Sequence, residues 1–99
     1  MNKVKTLTAQ DLKNEIINHK DIILIDVRED IEVAQSKISG SIHIPMNQIP
    51  ERLEELNKNI KTIVYCKSGI RSDKVCQYLQ HNGFNNVYNL LGGIKAWQE

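Results

Sequence analysis

Residues 64–76, VYCKSGIRSDKVC, carry the chain from an apolar strand end through a cysteine, a glycine and an arginine into the start of a helix. The strand is KTIVY (61–65), ending at Cys66, and the helix is SDKVCQYLQHNG (72–83). Ser72 has the side chain of an N-cap, and Gly83 can close the helix in the left-handed conformation. The same rhythm runs outward on both sides. Upstream, TAQDLKNEIINH (8–19) reads as a helix capped by Thr8, with Asp11 placed as in a capping box and an inner face of Leu12, Ile16 and Ile17. DIILIDV (21–27) shows no polar alternation and reads as a strand buried on both faces.

EDIEVAQS (29–36) predicts a short helix, and GSIHIP (40–45) a short strand stopped by Pro45. QIPERLEELN (48–57) predicts a helix with Pro50 in its first turn and Ile49, Leu53 and Leu56 inside. Downstream, FNNVYNL (84–90) is a last strand and GGIKAWQE (92–99) a closing helical turn. Strands alternating with helices argue for an α/β domain, with a mostly parallel sheet flanked by helices on both faces. In such sheets ligands bind outside the carboxyl ends of the strands, where Cys66 falls.

Bulk properties agree with one globular domain over residues 1–99. The composition is 40% hydrophobic and 25% charged, and 13 basic against 12 acidic residues leave a net charge of +1. No block of like charge marks a nucleic-acid or acidic-lipid binder. The longest aliphatic run, IILI (22–25), is far short of a membrane span. MNKVKTLTAQ (1–10) has no apolar signal core, and two cysteines are too few for a disulfide scaffold, so a cytoplasmic protein with reduced thiols is expected. His19, His43 and His81 show no metal-ligand spacing with the cysteines.

The loop CKSGIR (66–71) links a strand directly to a helix. If it curls around the sulfur, its backbone N–H groups form a nest for an anion, and the helix start adds the positive end of its dipole. Gly69 permits a backbone conformation closed to other residues. Lys67 and Arg71 add positive charge. These features favour a thiolate, the reactive form of cysteine. The competing reading is an inert cysteine in the core. Two phosphate chemistries are disfavoured. The Walker pattern is absent. Cysteine phosphatases and arsenate reductases use a similar Cys–Arg loop, but the phosphatase signature holds one residue more between Cys and Arg. The shorter loop suits a smaller adduct, such as one extra sulfur.

At this point the sequence resembles the rhodanese family of sulfurtransferases in its single-domain form. LIDVRE (24–29), followed by Glu32, is similar to the family's first signature, and KISGSIHIP (37–45) to its second. VYCKSGIRS (64–72) matches the active-site loop, and GFNNVYNLLGGIKAW (83–97) the C-terminal signature. The chain departs from the family at Ser36-Lys37, where Gly-His is frequent. The resemblance implies a sulfurtransferase in which Cys66 takes the outer sulfur of a donor such as thiosulfate or a persulfide. Cyanide or a thiol then receives it, and a partner sulfur-carrier protein is a further expected participant. No cofactor is needed, because the cysteine carries the sulfur itself. A non-catalytic binding module of the same fold is the alternative, and the intact Cys66 loop argues against it.

The other loop residues have expected roles. Lys67, Ser68, Gly69, Ile70, Arg71 and Ser72 form the anion-binding loop around Cys66. Lys67 attracts an anionic donor or is merely solvated. Arg71 contacts the donor or, as favoured here, anchors the loop by a bidentate bond to Asp26 or Glu32. Asp26 is expected to be a structural partner, and Arg28 to pair with a local acid such as Glu32. Cys76 is expected to be packing filler, the alternative being a resolving thiol. Trp97 is expected to close the core.

Overall fold

In a computed structural model, which describes residues 3–18 and 20–98, neighbouring residues of the central strands point to opposite sides of one sheet. His19 lies outside the described residues. The strands are β1 (Lys5–Leu7), β2 (Ile22–Asp26), β3 (Ile42–His43), β4 (Lys61–Tyr65) and β5 (Val87–Leu90). They lie in the order β1-β5-β4-β2-β3, and every neighbouring pair is parallel. The helices are α1 (Ala9–Ile17), α2 (Asp30–Gln35), α3 (Ile70–His81) and α4 (Gly93–Trp97).

Side-chain alternation along each strand builds two cores. Ile25 and Val64 join Val75, Cys76 and Leu79 of α3 on one face, with Ile49 and Leu56. Leu24, Ile63 and Tyr65 join Leu12 of α1 and Ile94 of α4 on the other. The expected run of apolar residues without polar alternation in residues 21–27 has this cause: both faces of β2 are covered. Trp97 packs against the second core, as expected. No helix among the described residues is long and apolar enough to cross a membrane.

Four local expectations are corrected. The N-terminal strand β1 has no counterpart in the sequence reading; its three residues leave too short a pattern to read, and it exists by pairing with β5. Residues 48–57 do not form one helix: a 3-10 turn, Met46–Gln48, ends at their start and a second, Leu53–Glu55, lies within them. Pro50 supplies no N–H to a helical ladder, and the chain closes tighter bonds, such as Ile49 N–H to the Met46 carbonyl at 3.3 Å. Ile49 and Leu56 still point inward. In α1, Thr8 caps the helix by accepting from the Asp11 amide at 3.0 Å, but only Leu12 is buried. Ile17 is exposed, and Ile16 borders an open cleft lined by Ile22 and Leu24. Finally, α3 starts two residues before the expected cap: Gly69, with φ of 112°, is the N-cap, and Ser72 lies inside the first turn. Gly83 does follow the helix in the left-handed region, with φ of 89°.

Candidate active site

The carboxyl ends of β2, β4 and β5 meet the start of α3 around one sulfur. Cys66 follows the last residue of β4, and its side chain sits at the centre of the curled 66–71 loop. The Gly69 amide donates to Sγ at 3.1 Å and the Ser72 amide at 3.4 Å, with the Ser72 Oγ at 3.3 Å. The left-handed Gly69 makes this possible: it turns the chain so that successive amides point inward, a geometry that strains residues with a Cβ. Burial pushes the Cys66 thiol up, but the donors of Ser72, Gly69 and Ser68 outweigh it and hold the thiol below its ordinary value. The arrangement stabilises negative charge on sulfur and leaves room for little else: the residue is 1% exposed.

Two ion pairs brace this cradle. Arg71 Nη1 and Nη2 donate to the two Glu32 oxygens at 2.7 and 2.9 Å, so of the two anchors expected the loop uses Glu32. Glu32 Oε1 also accepts from the Glu29 amide at 3.0 Å, which ties the clasp to the first turn of α2. Arg28 corrects the expectation that it pairs with Glu32. Its Nε and Nη2 donate to Asp26 Oδ1 and Oδ2 at 3.0 and 2.8 Å, and both residues are buried. From Glu32 it receives only the main-chain carbonyl, at 3.4 Å, because Arg71 occupies the carboxylate. Arg28 also donates to the Ser36 carbonyl at 2.6 Å, so the Ser36-Lys37 departure falls on a turn that Arg28 holds by its backbone. Asp26, fully buried and bound on both oxygens, is a structural partner.

Lys67, Ser68 and Ile70 are exposed on the outer rim of the loop. Among the described residues Lys67 forms no ion pair. His43, in β3, lies two strands from β4 rather than one and bonds the Arg28 carbonyl through Nε2 at 2.7 Å, away from the sulfur cradle. Cys76 is fully buried in α3, and burial pushes its thiol up to about 12. Both cysteines are free thiols.

Two contributors were missed in the sequence. Asn89, in β5, accepts from the Ser72 hydroxyl at 2.6 Å and donates to the Gly69 carbonyl at 3.0 Å. A polar residue inside the apolar VYNL strand is the signal that could have found it. Gly93 is the other. A Cβ there would meet the Lys67 and Cys66 carbonyls at 2.5 and 2.6 Å. Those carbonyls instead accept from the Lys95 and Ile94 amides at 3.2 and 2.9 Å, so α4 pins the loop from behind.

With this geometry in hand, the likeness to known proteins is specific. A family model described as "Rhodanese-like domain" matches residues 8–99. The putative sulfurtransferase YtwF of Bacillus subtilis is 43% identical over 96 residues, 97% of this chain and 92% of that protein. The thiosulfate sulfurtransferase GlpE of Coxiella burnetii is 34% identical over 84 residues, 85% of this chain and 78% of that protein. The crystal structure of a rhodanese-like domain protein from Staphylococcus aureus superposes with a TM-score of 0.90 at 39% identity, covering 95% of this chain and 91% of that one.

Proposed function

The chain belongs to the rhodanese-like domain family, and on that premise we propose that it is a sulfurtransferase working through a persulfide on Cys66. The observation that carries the reading is the convergence of the Gly69 and Ser72 amides on Cys66 Sγ. These amides favour the thiolate needed for attack and can hold the negative charge of the adduct.

The Cys66 thiolate attacks the outer sulfur of a donor such as thiosulfate. The donor's S–S bond breaks, and sulfite leaves with the electron pair. Cys66 then carries a persulfide whose terminal sulfur is anionic. Once a proton neutralises that terminal sulfur, an acceptor thiolate or cyanide attacks it, and the proton leaves with the product. The bond to Sγ breaks, its electron pair returns to Cys66 as thiolate, and the acceptor leaves as a persulfide or as thiocyanate. The loop does not form bonds; it keeps the charge in place, and the Arg71–Glu32 clasp keeps the loop curled. Lys67, a rim cation with no acidic partner among the described residues, draws the anionic donor. A reducing compartment, the cytoplasm, suits a reaction that needs a free thiolate. A sulfur-carrying partner protein would meet the molecule at the same rim.

Intact mass after incubation with thiosulfate tests the reading. One added sulfur atom is expected on the reduced protein and none on Cys66→Ala. No adduct with any sulfane donor, together with no cyanide-dependent thiocyanate, overturns it and leaves a binding module.

A further inference from the structure

The Ser72 hydroxyl has one proton and two acceptors. Oγ lies 2.6 Å from Asn89 Oδ1 and 3.3 Å from Cys66 Sγ. The Asn89 amide cannot be turned round to relieve this. Its Nδ2 donates to the Gly69 carbonyl at 3.0 Å, and a carbonyl only accepts, so Oδ1 must face Ser72. All three groups are buried, so bulk water supplies no substitute donor at the hydroxyl. A neutral thiol is a weak acceptor, so the short bond to Asn89 wins while Cys66 is protonated. A thiolate is a far stronger acceptor and can draw the proton across. Asn89 Oδ1 then loses its donor inside the protein, which costs free energy.

The geometry points to Asn89 as a positioning residue that competes with Cys66 for the Ser72 proton and so sets how readily the nucleophile ionises. Ser72 is a two-position hydroxyl: toward Asn89 over the thiol, toward sulfur over the thiolate. The inference goes beyond the sulfur-transfer reading and concerns only the ionisation of Cys66. The charged neighbours make no hydrogen bond in the exchange, and Arg71 meets the Cys66 charge only through space. Arg71 is bound to Glu32, Arg28 to Asp26, Cys76 stays a neutral thiol, and Lys67, Asp73 and Lys95 make no bond to Ser72 or Asn89.

The test is the pH dependence of iodoacetamide alkylation at Cys66, read by mass mapping, in the parent, Asn89→Leu, Ser72→Ala and the double variant. Asn89→Leu removes the competitor. It should lower the apparent Cys66 pKa by roughly half to one unit, so that alkylation below the pKa runs about three to ten times faster. In the Ser72→Ala background the same change should do nothing, because Asn89 acts through that hydroxyl. If Asn89→Leu does not fold, Asn89→Ala makes the same comparison. An unchanged or raised pKa in the single variant overturns the proposal. So does an equal shift in the Ser72→Ala background, which would show that Asn89 acts only by holding the Gly69 carbonyl. Sulfur loading by thiosulfate, measured on the same proteins, separates this outcome from failure of the transfer reading: the pKa pattern stands whether or not sulfur is taken up.

Discussion

Arg71 and Glu32, 39 residues apart in sequence, are joined by two parallel bonds of 2.7 and 2.9 Å. One end lies in the first turn of α3 and the other in α2, so the pair closes the loop around Cys66 from outside. In this structure both Arg71 Nη atoms are therefore engaged by one carboxylate.

The clasp has a pH signature. The Arg71 guanidinium, against some loss of hydration, holds the Glu32 carboxyl down at about 2, below the ordinary 4.5. A depressed folded-state value adds stability above the ordinary pKa and loses it as pH falls toward the folded one. Glu32→Gln should therefore cost roughly 1 kcal/mol at pH 7, a modest figure because both side chains are partly exposed. The gap between parent and variant, followed by denaturant unfolding, should narrow between pH 4.5 and about 2. A gap that stays constant to the acid end counts against the clasp.

Gly93 is expected to tolerate no side chain. A Cβ would sit 2.5 Å from the Lys67 carbonyl oxygen and 2.6 Å from that of Cys66, and backbone must move to admit it. Gly93→Ala should cost about 2–3 kcal/mol and reduce sulfur loading at Cys66 at least tenfold, on the order of what displaced catalytic geometry costs. Gly40→Ala is the control. Its φ is 86° but nothing lies within 4 Å, so it should cost only the backbone strain, about 1 kcal/mol, with loading intact. Equal effects at the two positions would contradict the contact.

The buried Asp26–Arg28 pair is the larger stability element. Asp26→Asn leaves a buried guanidinium with half its carboxylate partner, and the expected loss is about 3–5 kcal/mol. A drop in the denaturant midpoint with an unchanged slope would register it. A loss below about 1 kcal/mol would mean that water or the Ser36 carbonyl compensates.

The two thiols should react differently. At pH 8, brief iodoacetamide treatment of the folded protein is expected to label Cys66 and spare Cys76, whose thiol is buried and pushed up to about 12. Cys76→Ala should leave sulfur loading unchanged at a cost of roughly 1 kcal/mol. Mass mapping that finds Cys76 labelled first would reverse the assignment.

Much of the fold was legible because it is written locally. The strand at 61–65, the loop, the helix after it, the Thr8 cap and the Gly83 stop all depend on residues within one or two turns of each other. Where neighbours did not decide, the reading failed. Strand β1 takes its form from β5, more than eighty residues away. Ser72 looked like a cap because Ser favours that position, but the left-handed Gly69 starts the helix earlier and turns the hydroxyl inward.

Local patterning was enough for the strand–helix alternation from residue 8 onward, apart from 48–57, and for the place of Cys66 at a strand end and the loop that could cradle its charge. Tertiary structure alone decided which carboxylate Arg71 would hold, that Arg28 would take Asp26, and that Asn89 and Gly93 would reach the loop from β5 and α4. The reason is range. Backbone conformation follows from steric and hydrogen-bond preferences of adjacent residues, whereas a side chain's partner depends on which distant elements packing brings within about 3 Å of it.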